Sequence, residues 1–165
     1  MEDQVYQLSI LSAYREAEVR GAELLQRLLR KNDEPKMAIH LTWQLADEAR
    51  HIQLLTVLIS ELGGAPTATR KKMQQTGSNH GLPATTLELL AFLHATEERL
   101  QERYRAHAER RREDPRIVAT LQTLASDEEW HLAGVKALLL KQEKKFGWTR
   151  VGATIDHYWN LTRHT

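Results

Sequence analysis

Apolar residues recur three and four positions apart along most of the chain, the period of a helix with one buried face. The pattern predicts a first helix from about Asp3 to Arg30. A second begins after Asn32 or Asp33, with Pro35 near its first turn, and ends at Gly63-Gly64. A third starts after Pro83 and runs to about Arg112. A fourth starts after Asp114, with Pro115 in its first turn, and ends near Gly147. Proline suits a first helical turn, whose N–H groups lack partners anyway, and glycine suits a helix end. The turns Lys31 to Glu34 and Arg111 to Asp114 are short, so they predict two antiparallel hairpins. Gly63 to Pro83 is long and polar, suited to crossing the length of a bundle.

Residues 1–145 are therefore expected to form an all-α four-helix bundle of two antiparallel hairpins with a long crossover. Residues 146–165 form a C-terminal tail, with a short fifth helix expected around Ile155 to Leu161. Its Trp148, Tyr158 and Trp159 suit a cover over one bundle end or a contact between copies.

Several acids interrupt the apolar stripes. On the second helix, Leu41, Leu45, Ile52, Leu55, Ile59 and Leu62 share a face, with Glu48 at its centre and His51 beside it. On the fourth, Ile117, Leu121, Leu124, Val135, Leu138 and Leu139 share a face that contains Glu128 and His131. Burying an unpaired carboxylate is costly, and a metal ion offsets that cost by taking deprotonated oxygen and nitrogen ligands.

The two sites repeat one pattern: Asp47-Glu48-Ala49-Arg50-His51 and Asp127-Glu128-Glu129-Trp130-His131. Each gives Glu-x-x-His, eighty residues apart (48 to 128, 51 to 131). Residues three apart on a helix lie side by side, so one ion can meet both side chains. The same shift aligns Pro35 with Pro115 and Leu41 with Leu121, so the hairpins read as an internal repeat.

The other two helices supply further acids. Glu18 projects within the first helix's stripe of Leu8, Leu11, Ala22, Leu25 and Leu29, whereas Glu16 and Glu23 point away. On the third, Leu90, Leu93, Leu100 and Tyr104 favour Glu97, while the eighty-residue shift favours Glu98 as the alternate.

Composition narrows the chemistry. The 165 residues carry 23 Lys plus Arg against 22 Asp plus Glu, a formal charge of +1, so no polyanionic partner is expected. Arg70 to Lys72 are too few charges to indicate nucleic acid. There is no cysteine, which excludes disulfides, thiolate zinc sites and iron–sulfur ligation. Neither a signal peptide nor a membrane span is visible, so a cytoplasmic location is expected.

Glu18, Glu48-x-x-His51, Glu97 and Glu128-x-x-His131 together resemble the ligand set of the ferritin-like superfamily of di-iron carboxylate proteins. The nearer likeness is to the rubrerythrin type, because each half carries a complete Glu plus Glu-x-x-His. Glu97 to Tyr104 also resembles the rubrerythrin third helix, with a tyrosine seven residues after the ligand. The resemblance covers about Leu8 to Lys141. It implies a ferritin-like bundle and two iron ions, with manganese acceptable to the same donors. Glu18 and Glu97 would be terminal ligands, Glu48 and Glu128 bridges, and His51 and His131 would each bind one ion.

By that likeness the expected function is oxidoreduction with dioxygen or peroxide. Ferroxidase or iron-handling activity, and a non-catalytic helical interaction protein, are the alternatives. Rubrerythrins often append a cysteine-ligated module; this chain has no cysteine, so electrons would come from a separate donor or from the substrate. Leu100 also stands where the pattern has a further carboxylate, which weighs against rubrerythrin-style peroxidase activity. A homodimer is an allowed assembly.

Around the six, Asp47 and Asp127 are either cross-bundle partners of the histidines or exposed charges. Tyr14 and Tyr104 are expected chiefly as core packing, with a hydrogen bond donated to the site as the alternative. His40 and His94 approach the core side, while His80, His107, His157 and His164 show no partner pattern.

Overall fold

The computed structural model describes residues 2–67 and 83–162. Among them are five helices and no strand: α1 (Glu2–Lys31), α2 (Pro35–Glu61), α3 (Thr86–Arg110), α4 (Pro115–Phe146) and α5 (Trp148–Thr162). Local chemistry fixes their ends. Pro35 and Pro115 open α2 and α4. The Asp114 carboxylate accepts from the Arg116 N–H, satisfying one free donor of the first turn. At α3, Thr85 and Glu88 form a reciprocal capping box. At the end of α2, Gly63 takes φ 79°. Its N–H then reaches the Ser60 carbonyl, and the Gly64 N–H reaches that of Ile59, a paired closure that needs a left-handed residue.

Contacts across the bundle set the topology. Arg15 donates to Thr56 between α1 and α2, and Arg105 pairs with Glu129 between α3 and α4; both hairpins are antiparallel. Asp3 meets Arg111, and Asn32 meets Thr86, so α1 and α3 also run antiparallel. Arg116 of α4 reaches the Glu61 carbonyl, and Lys141 meets Glu34, so α2 and α4 do too. The end of α2 therefore lies beside the start of α1, while α3 starts beside the end of α1. The link between α2 and α3 joins opposite ends of the bundle, as the sequence pattern requires. Most of that crossover, with Arg70 to Lys72 and His80, lies outside the described residues, as does His164.

Two apolar clusters fill the interior. One gathers Leu25, Leu28, Leu41, Leu90, Leu93, Val135 and Tyr158, and the other Leu11, Leu55, Ile59, Tyr104, Leu121 and Leu124. Each fully buried leucine contributes roughly 2 kcal/mol. Glu18, Glu48, Glu97 and Glu128, also buried, belong to neither cluster.

The tail differs from expectation. Helix α5 spans 15 residues and starts directly after Gly147, earlier than Ile155. Gly147 at φ 82° turns the chain within one residue, so α4 gives way to α5 without a loop. Helix α5 then packs on α3 and α4. Tyr158 meets Phe92 edge-on at 5.6 Å, and Arg99 binds the Trp159 carbonyl and the Thr162 hydroxyl. Trp148 remains exposed. No described helix is long and apolar enough to cross a membrane.

Candidate metal centre

One side chain from α1 and one from α3 meet two each from α2 and α4. Helix spacing explains the doubling, because Glu48 and His51, like Glu128 and His131, sit one turn apart on one face. All six residues are buried; Glu18, His51 and His131 expose nothing. Ligand atoms of Glu18, Glu48, His51 and Glu128 lie within 4.8 Å of one another, and so do those of Glu48, Glu97, Glu128 and His131. Glu48 and Glu128 belong to both groups.

Nδ1 of His51 is 3.1 Å from Glu18 and 3.5 Å from Glu128. Nδ1 of His131 is 3.4 Å from Glu128 and 3.7 Å from Glu48. Both imidazoles thus turn Nδ1 inward, and their ring centres are 5.8 Å apart. Outward, Nε2 of His51 meets Asp127 at 3.1 Å, and Nε2 of His131 meets Asp47 at 3.3 Å. The aspartate before each motif glutamate partners the histidine of the other motif, and Arg50 bridges both aspartates at 2.8 and 2.9 Å. Such partners fix the tautomer and orientation of metal-binding imidazoles.

Without a cation this arrangement is electrostatically frustrated. Burial, then the charges of Glu18 and Glu128, push the Glu48 carboxyl well up. Burial and the Glu128 and Glu18 charges do the same to Glu97, and burial raises Glu128. Burial opposes ionisation of Glu18 too, but hydrogen bonds led by His51 hold it below the usual carboxylate range. Burial likewise disfavours His51 as a cation, yet the Glu18 hydrogen bond and charge raise it to about 9. Glu97 Oε2 and Glu128 Oε1 are buried without accepting a hydrogen bond. Buried anionic oxygens without donors fit positive ions, and this mixed carboxylate–imidazole set suits iron or manganese.

A family model described as a ferritin-like domain matches residues 16–144, most of the chain. The chain belongs to the ferritin-like domain family. Comparisons with curated proteins and with solved structures give no match.

In this ferritin-like chain the third-helix choice goes to Glu97. Glu98 is partly exposed and points to His94, 3.9 Å away. Burial outweighs the eighty-residue register here because the apolar stripe of α3 is what turns Glu97 inward. Tyr104 is more than core packing: fully buried, it donates its hydroxyl to Glu18 Oε1. Burial, then the Glu18 and Glu128 charges, keep that phenol protonated. Tyr14 packs edge-on against Tyr104 at 4.9 Å.

Sequence reasoning missed two residues of the ferritin-like site. Gln44, fully buried one turn before Glu48, donates to Glu97 Oε1. A glutamine three residues after Leu41 and four before Glu48, on the same buried face, was the available signal. Gly21, one turn after Glu18, leaves room for the Glu48 carboxylate; a Cβ there would meet Glu48 Oε2 at 2.7 Å. Mid-helix glycine costs about 1 kcal/mol against alanine, so glycine on the buried face was a signal as well.

The remaining histidines separate cleanly. His107 pairs with Gln7. His40 packs on Trp130, and His157 meets Tyr158. None of these, nor His94, is among the clustered ligand groups.

Proposed function

We propose that this chain is a di-iron carboxylate oxidoreductase of rubrerythrin-like ligand pattern that reacts with dioxygen or peroxide. Glu18 and His51 would hold one ion and Glu97 and His131 the other, with Glu48 and Glu128 available to both. The observation that carries this reading is the overlap of two four-residue ligand groups at Glu48 and Glu128. Two iron ions held there would supply the two-electron change that reduction of dioxygen or peroxide requires.

The protein's own residues prepare that chemistry. Asp127 and Asp47 hold the imidazole Nε2 positions outward, leaving Nδ1 free to bind. Tyr104 and Gln44 each donate to one terminal carboxylate, fixing which oxygen faces the centre. The leucine clusters exclude water, which strengthens every charge interaction inside. With no cysteine in the sequence, the reducing equivalents would come from a separate donor or from the substrate.

The family match favours a second reading on the same residues, oxidation of ferrous iron as substrate for storage or detoxification. One experiment separates them. Anaerobic protein is given ferrous iron in large excess, then oxygen, and iron is followed by absorbance and gel filtration. An oxidoreductase oxidises its bound pair and stops until a reductant is added. Continued oxidation of the excess, with ferric product retained by an assembly, favours iron handling. No iron uptake at all overturns both.

A further inference from the structure

The two halves of the site differ at the residue before each histidine. Arg50 precedes His51, and Trp130 precedes His131. Arg50 pairs with both Asp47 and Asp127, the outer partners of the two histidines. Trp130 does something else. Its ring centre lies 5.7 Å from that of His131, at 67°, while half of the residue remains exposed. His131 itself exposes nothing. One aromatic contact therefore leads from solvent to an inward-facing imidazole.

This contact is built rather than incidental. The His40 ring lies 5.1 Å from the indole. It fits because position 134 is glycine: a Cβ there would meet His40 at 1.9 Å. Gly134 follows Trp130 by one turn of α4, so the helix gives up a side chain to admit the ring that flanks the indole.

We propose that Trp130 is the electron-entry residue of the site, passing single electrons from a soluble one-electron donor at the surface to the ion held by His131. The inference rests on the di-iron reading above. Indole has a high-lying filled π system, and its ring approaches the imidazole both through space and through the adjoining backbone. The Asp47–Arg50–Asp127 ion pairs lie outside both imidazoles; the indole is the group that the His131 side adds. In each transfer the donor loses one electron and is oxidised, and one ferric ion gains it and becomes ferrous. Trp130 ends unchanged, and no bond to it forms or breaks. Two transfers restore the reduced pair.

The test uses the full chain loaded with iron and oxidised in air, in wild type, Trp130→Leu, Trp130→Tyr and Trp43→Leu. Trp43 is an exposed tryptophan of α2 outside the clustered ligand groups. Photogenerated methyl viologen radical delivers electrons, and bleaching of the ferric absorption gives the rate. Iron content and midpoint potential are measured on the same samples. Trp130→Leu is expected to slow reduction roughly tenfold or more, with iron content and potential unchanged. Trp130→Tyr retains most of the rate, and Trp43→Leu matches wild type. A wild-type rate in Trp130→Leu overturns the relay. Loss of iron in Trp130→Leu also overturns it, since the residue would then serve to hold His131. Wild-type protein that takes up no iron pair overturns the di-iron reading first and the relay with it.

Discussion

Nε2 of His51 lies 3.1 Å from Oδ2 of Asp127, on the facing helix. That bond turns Nδ1 toward Glu18 and Glu128, so the outer aspartate sets the inner geometry. Replacing outer partners of metal-bound imidazoles typically costs about 10- to 100-fold in affinity. Asp127→Ala is expected to weaken ferrous or cobaltous binding by that amount in a competition titration. The fold should survive, because the Asp127 side chain is partly exposed. Wild-type affinity in this variant would show that the imidazole needs no such partner.

Gly21 should separate stability from binding. Alanine is favoured over glycine in a helix by roughly 1 kcal/mol. In metal-free protein the Glu48 carboxylate can swing away from the new methyl, so Gly21→Ala should melt at or slightly above the wild-type temperature. With metal the carboxylate must sit where the methyl intrudes, at 2.7 Å. Binding should therefore fall while apo-stability does not. A variant that binds metal normally would place Glu48 elsewhere in the loaded state.

Metal-free and metal-loaded protein should respond oppositely to pH. The His51 pKa rises from an ordinary 6.5 to about 9 on folding. Its contribution is complete below about 6.5 and is lost as pH rises through 9. Glu48 and Glu97 are shifted upward too, so ionising them also weakens the fold as pH rises. Metal binding instead requires deprotonated ligands and tightens with pH. Thermal melts with chelator should fall from pH 6 to pH 9, while the gain from added manganese grows. A metal-free melting temperature that climbs across that range would contradict the buried acid cluster.

Tyr104→Phe removes the hydroxyl that donates to Glu18. A buried acceptor left without its donor costs about 1–3 kcal/mol. Denaturant unfolding of metal-free Tyr104→Phe should show a loss of that size. The packing of the ring against Tyr14 is retained, so a much smaller loss would mean the hydroxyl bond is weak.

The pattern of apolar positions was enough for the four long helices and their pairing, because each helix carries one continuous stripe and the turns are marked by Pro35, Pro115 and Gly63. Glu48, His51, Glu128 and His131 were legible for the same reason: a charge at the centre of an apolar face must meet something. Helix α5 was read as too short, from about Ile155, whereas Gly147 serves as a one-residue corner and Gly152 is simply helical. Gln44 was hidden, and the Tyr104 bond stood only as an alternative without a named partner, because Glu97 and Glu18 lie 53 and 86 residues away. Periodicity reports which face is buried, but not which polar atoms meet across it.

The central claim is that Glu48 and Glu128 are shared by two ions. Elemental analysis of protein reconstituted anaerobically with ferrous iron tests it most directly, in wild type and in Glu48→Ala, Glu128→Ala and the double variant. Two iron ions per chain are expected in wild type, and loss of both, not one, when either glutamate is removed. Retention of the full iron content by the double variant would contradict it.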